Sequence, residues 1–119
     1  MSTVIITGSR EWSDQAQLFY HLDAVHAIYP ITFLVQGGAK GADALAARWA
    51  QANGIKYITV HADWDQHGKS AGPIRNIEML DGFPDARVIA FPLGKSIGTR
   101  HCMREAVKRG MKVTNYGDK

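Results

Sequence analysis

Val35-Gln36-Gly37-Gly38-Ala39-Lys40-Gly41-Ala42-Asp43 is the stretch on which the fold turns. It follows an apolar run, Ile31-Thr32-Phe33-Leu34-Val35, that reads as a buried strand. It opens onto Ala42 to Ala50, which reads as a helix. A strand, a tight glycine turn and a helix N-terminus together make an anion site. The glycines let the backbone approach a ligand closely, and unpaired N–H groups face it with the positive end of the helix dipole. Two glycines after a strand can also be a plain turn, so the reading depends on what converges with this one.

Upstream, Thr3-Val4-Ile5-Ile6-Thr7 is β-branched and apolar, as suits a central parallel strand covered on both faces, and it ends at Gly8-Ser9-Arg10. Ser13 or Asp14 then caps a helix to about Ile28, with Leu18, Leu22, Val25 and Tyr29 at helical spacing, and Pro30 closes the unit. Downstream, Ala42, Leu45, Ala46, Trp49 and Ala50 share one helix face, and Asn53-Gly54-Ile55 reads as a helix stop. Tyr57 to Val60 is a third strand. The polar stretch His61 to Gly72 reads as a long loop, of the kind that often carries function. Pro73 starts a short helix to about Leu80, and Arg87 to Phe91 is a fourth strand. Pro92 to Thr99 is another glycine-bearing turn, leading into a helix with Cys102, Met103, Ala106 and Val107 inward. Arg109-Gly110-Met111 repeats the earlier stop, and Lys112 to Tyr116 is a fifth strand.

This alternation of strands and helices predicts an α/β, Rossmann-like, three-layer αβα domain over residues 1–119. Its mainly parallel five-stranded sheet should have the order 3-2-1-4-5. The 119 residues allow one core, and 45% apolar with 21% charged residues is ordinary for a globular chain. No run is long enough to span a membrane. The lone Cys102 excludes an internal disulfide and favours a reducing, cytoplasmic setting. A net charge of +3 suits phosphate-bearing ligands without demanding nucleic acid.

Ligands in such sheets bind beyond the carboxyl ends of the strands, where the strand order reverses. The turns at Gly8-Ser9-Arg10, Gly37-Gly38-Ala39 and Pro92 to Thr99 all lie on that edge. Backbone N–H groups at Gly37 to Gly41 and Gly94 to Thr99 are expected to hold phosphate, with Arg10, Lys40, Arg75 and Lys95 as charged partners. Neither a G-x-x-x-x-G-K-[ST] loop nor a G-x-G-x-x-G fingerprint is present, which argues against a P-loop NTPase and against standard NAD binding.

Gly8-Ser9-Arg10 and Gly37-Gly38-Ala39-x-Gly41-Ala42-Asp43 with Trp49-Ala50 resemble the YspA/YpsA-related branch of the SLOG superfamily. The likeness continues through Ala62-Asp63-Trp64, Gly68-Lys69-x-Ala71-Gly72-Pro73-x-Arg75-Asn76-x-x-Met79 and Gly94-Lys95-Ser96-x-Gly98-Thr99. The superfamily includes LOG phosphoribohydrolases, DprA/Smf DNA-binding proteins and sensor domains. The resemblance implies a Rossmann-like fold and a nucleotide or nucleotide-derived ligand, such as a cyclic or ADP-ribose-like compound; it is compatible with cleavage as well as with sensing or sequestration, and the latter is the expectation here. It also implies a homodimer or higher assembly.

LOG enzymes share the arginine and methionine seen here at Arg75 and Met79, but their P-G-G-x-G-T turn is followed closely by a catalytic glutamate. Here Arg100-His101-Cys102 follow the turn, and Glu105 is more than a helical turn away. N-glycosidic cleavage benefits from a carboxylate that stabilises an oxocarbenium-like sugar. Asp63, Asp65 or Glu78 would have to supply it, with Arg75 as a further catalytic candidate. Nucleotide N-glycosidase activity is therefore the alternative reading.

The residues expected at the ligand are Gly8, Ser9, Arg10, Gly37, Gly38, Ala39, Gly41, Asp43, Trp64, Arg75, Asn76, Gly94, Lys95, Ser96, Gly98 and Thr99. Several have plainer readings. Ser9 and Arg10 suit a helix cap, Asp43 suits the helix dipole, and Trp64 suits the core. His61 and His67 flank Asp63 and Asp65 without a common zinc spacing, so neither a metal nor a cofactor is expected. Arg100, Arg104 and Lys108 form a basic stripe that reads as a solvated face. DprA-like contact with single-stranded DNA is its alternative.

Overall fold

The computed structural model describes residues 2–119. Its elements are β1 (Ser2–Gly8), α1 (Gln15–Ile28), β2 (Ile31–Gln36), α2 (Ala42–Ala52), β3 (Lys56–Thr59), α3 (Trp64–His67), a 3-10 turn (Gly68–Ser70), α4 (Ala71–Gly82), β4 (Arg87–Phe91), α5 (Ile97–Lys108) and β5 (Val113–Asn115). The sheet is all-parallel with the order β3-β2-β1-β4-β5. This is the expected order.

The two-residue period of β1 builds both cores. Val4 and Ile6 point to one face and pack with Leu18, Leu22, Leu34 and Trp49, under α1 and α2. Ile5 points to the other face and packs with Val35, Val88, Met79, Leu80, Cys102 and Ala106, under α4 and α5. Gly8 lets α2 approach β1, because a Cβ there would lie 2.4 Å from the Ala42 methyl. The two helix stops have the same geometry. Gly54 and Gly110 take positive φ, and the residues after them, Ile55 and Met111, donate N–H groups to Ala50 and Ala106 at 2.9 and 3.0 Å.

The structure corrects five expectations. The polar stretch after β3 is largely helical rather than a loop. Asp63 caps α3 by accepting the Gln66 N–H at 3.1 Å, and α4 begins at Ala71, two residues before Pro73. Pro73 fits there because the first-turn N–H groups of a helix have no intrahelical acceptor. Tyr29 is 45% exposed, outside the core, and the Arg87 guanidinium lies 3.9 Å from its ring centre. Val107 is 64% exposed, because the inward face of α5 is set by Thr99, Cys102 and Ala106. Trp64 is also outside the core, at 49% exposure. Among the described residues no helix is long and apolar enough to cross a membrane.

Candidate functional site

At the carboxyl end of β1 the chain must pass between β2 and β4, whose connections run to opposite faces of the sheet. The turn after β1 is stitched to both sides. The Ser9 N–H donates to Phe91 O at 3.0 Å, and Ser9 O accepts from the Ala42 and Trp12 N–H groups at 3.1 and 3.2 Å. Ser9 Oγ accepts the Glu11 N–H at 3.0 Å. A cavity of about 340 Å³ opens at this switch point.

Ten of the expected residues line it: Gly8, Ser9, Arg10, Ala39, Asp43, Arg75, Asn76, Ser96, Gly98 and Thr99. Six do not. Gly37, Gly38 and Gly41 form the turn behind it. Gly94 and Lys95 lie outside it, where Gly94 donates its N–H to Asp118 Oδ2 at 2.8 Å and both carbonyls accept from Arg100. Trp64 stands away from the lining, with the Arg10 guanidinium 5.9 Å from its ring centre.

The glycine turn is arranged differently from the expected phosphate cradle. Asp43 Oδ2 accepts the N–H groups of Gly37 and Ala39, each at 3.2 Å, and Gln36 Oε1 accepts that of Gly38 at 2.6 Å. These donors are satisfied within the protein. Arg75 Nη1 donates to Gly37 O at 2.6 Å and its Nε to Asn76 Oδ1 at 3.0 Å, while Asn76 Nδ2 donates to Gly98 O at 3.1 Å. One line of hydrogen bonds thus links the glycine turn, α4 and the start of α5 across the cavity.

The opposite wall retains anion-binding capacity. The first N–H groups of α5, at Ile97 to Thr99, have no intrahelical acceptor. Ser96, just before them, holds a left-handed backbone (φ 41°, ψ 54°) that is rare for a residue with a Cβ. Its hydroxyl is the buried side-chain oxygen without a partner among the described residues. Buried polar atoms of this kind are uncommon, and they cluster with backbone strain at functional sites.

The carboxylates also differ from expectation. Asp63 caps α3, Asp65 and Glu78 are exposed, and none of the three lines the cavity. Asp43 and Glu11 do. Glu11 was legible only as the residue after Gly8-Ser9-Arg10. The other residues missed are Ile6, Thr7, Met79, Leu93 and Ile97. Of these, Met79 lies one helical turn from Arg75, a signal that would have found it. Cys102 is a packing residue whose thiol burial pushes up to about 11. The basic stripe on α5 is partly spent within the chain, since Arg100 binds the Gly94 and Lys95 carbonyls and Lys108 pairs with Glu105 at 3.0 Å.

Burial pushes the Asp43 carboxyl up to about 6, against the opposing pull of the Ala39 amide, Arg75, the Gly37 amide and Arg10. A carboxyl that binds its proton more tightly when folded favours the folded state most at low pH. Its contribution declines as pH rises from about 4 to about 6 and is flat above. Asp43→Asn removes this titration. Wild type should therefore lose about 3 kcal/mol relative to Asp43→Asn across that window. Urea unfolding of both proteins between pH 4 and 7 measures it, and parallel stability curves would contradict it.

Residues 2–67 match the model of the YspA, cpYpsA-related SLOG family. The chain belongs to that family. Across its whole length this SLOG domain is 48% identical to the Gene 61 protein of Mycobacterium phage D29, over 125 aligned residues and 99% of that protein. Its fold is similar to that of DNA processing protein A (DprA) from Streptococcus pneumoniae, with a TM-score of 0.55 at 18% identity. That likeness covers 96% of this chain and 58% of the DprA chain, and it concerns the fold alone.

Proposed function

We propose that this SLOG domain binds a nucleotide or nucleotide-derived phosphate compound in the cavity at the switch point, as a sensor or sequestering protein. The observation that carries the reading is the pairing of two arginines with an unsatisfied helix start. Arg10 and Arg75 line the same cavity as Ser96, Gly98 and Thr99 at the start of α5. Arginine forks and free amides both suit phosphate. The anion belongs at the start of α5, because the amides of Gly37, Gly38 and Ala39 are already bonded. The remaining lining is mixed, with Ile6, Leu93 and Ile97 offering apolar surface to a base or sugar face. The volume lies at the small end of the range for small-molecule sites.

Asp43 supports a second reading. A carboxylate does stand in the cavity, although away from the position used by LOG enzymes, so nucleotide N-glycosidase activity retains a candidate acid. A thermal-shift panel of nucleoside monophosphates, ADP-ribose and the matching nucleosides tests the main reading. Phosphorylated compounds should raise the melting temperature in a concentration-dependent way and nucleosides should not. Equal shifts for both, or none at millimolar ligand, would reject it. Chromatography of the same mixtures would reveal free base if the second reading is right.

A further inference from the structure

Asp43 holds the glycine turn with one oxygen only. Oδ2 accepts both amides, whereas Oδ1 has no hydrogen-bond partner among the described residues. Asp43 is only 5% exposed, and it lines the cavity. Its free oxygen is the acceptor that Asp43 has left for a ligand in the cavity. An asparagine could also accept both amides through its single carbonyl oxygen. It would also avoid placing a negative charge beside Arg10 and Arg75, where that charge weakens anion binding. Holding the turn uses one acceptor oxygen and leaves the second oxygen of the carboxylate over. A carboxylate oxygen is an acceptor only, so its complement is a donor on the ligand.

We infer that Asp43 is a specificity-determining residue whose Oδ1 accepts a hydrogen bond from a sugar hydroxyl, so that the site prefers a ribose phosphate to one lacking that hydroxyl. This rests on the binding proposed above and names its substrate class. Phosphate sits at the arginines and the start of α5, and the sugar spans the cavity toward α2. Removing the hydroxyl leaves a desolvated carboxylate oxygen unpaired, which is costly.

The test is calorimetric titration of wild type and Asp43→Asn with inorganic phosphate, ribose 5-phosphate, and its 2-deoxy and 3-deoxy counterparts. Wild type should bind ribose 5-phosphate about tenfold or more tightly than at least one deoxy compound, as loss of a hydrogen bond to a charged group implies. Asp43→Asn keeps the acceptor for Gly37 and Ala39 but turns the cavity-facing atom into a donor. It should abolish the preference, so that ribose 5-phosphate and both deoxy compounds bind alike. A role confined to the turn would instead move all four ligands together. Equal wild-type affinity for ribose and both deoxy sugars, or a preference that survives in Asp43→Asn, overturns the inference and leaves phosphate binding intact. If neither phosphate nor any sugar phosphate binds at millimolar concentration, the proposed function itself fails. Should Asp43→Asn not fold, the wild-type comparison still decides, because absence of a preference overturns the inference.

Discussion

Gly41→Ala should destabilise the protein by about 3 kcal/mol or more, lowering the melting temperature by roughly 10 °C, and should abolish ligand binding. Gly41 precedes α2 with φ +79° and ψ −128°, a conformation that side-chain-bearing residues avoid. A Cβ there would lie 2.4 Å from Ser9 O and 2.6 Å from the Arg10 carbonyl carbon and oxygen. All of these are backbone atoms with no rotamer to change. Relief requires the β1–α1 turn to separate from α2, which breaks the Ala42 N–H bond to Ser9 O and opens the floor of the cavity. Gly54→Ala is the control. Gly54 also has positive φ (+66°), but a Cβ there meets nothing within 4 Å. Only the backbone penalty of about 1 kcal/mol applies there. Chemical denaturation of the two variants side by side separates conformational strain from collision. Equal losses would show that the contact between the two turns is not as tight as described.

The contrast also shows which parts of the molecule were legible in the sequence. The β-branched run of β1, the alanine face of α2 and the two glycine stops are local patterns. Each fixes an element by periodicity or backbone chirality, and the alternation of elements then fixes a parallel sheet with helices on both faces. The cavity was legible as a place, because every strand end at the switch point carried a polar turn. Its internal bonding was not. Whether an amide in a glycine turn faces a ligand or a side chain depends on where the next acceptor lands. Here Gly38 and Gly41, both at positive φ, turn the backbone so that Asp43 reaches the amides four and six residues before it. The Arg75 contact with Gly37 O spans 38 positions and arises only once α4 packs beside the turn. The short α3 was hidden by its polarity. A single helical turn has no apolar period to read, and only its Asp63 cap distinguishes it from a loop.

Arg75→Gln should weaken binding of a phosphorylated nucleotide about a hundredfold, with a modest stability loss of about 1 kcal/mol. Arg75 lines the cavity and bonds Gly37 O and Asn76 Oδ1. Asn76 in turn holds Gly98 O at the start of α5. The side chain thus supplies charge to the ligand and fixes the distance between the two walls. Glutamine can replace one donor but neither the charge nor the fork. Lys95→Gln is the informative control, since it removes the same charge from a side chain outside the cavity. It should change affinity less than twofold, as expected of an exposed, screened charge.

The most direct test of the central claim is titration of the ¹⁵N-labelled protein with adenosine monophosphate, followed through its amide resonances in wild type and Arg75→Gln. The predicted wild-type response is a saturable shift concentrated at Ile97, Gly98 and Thr99 and at Ser9 to Glu11, with the bonded amides of Gly37 and Gly38 moving little, and strong attenuation in Arg75→Gln. Shifts centred on the glycine turn, on another face of the protein, or absent at millimolar ligand would contradict it.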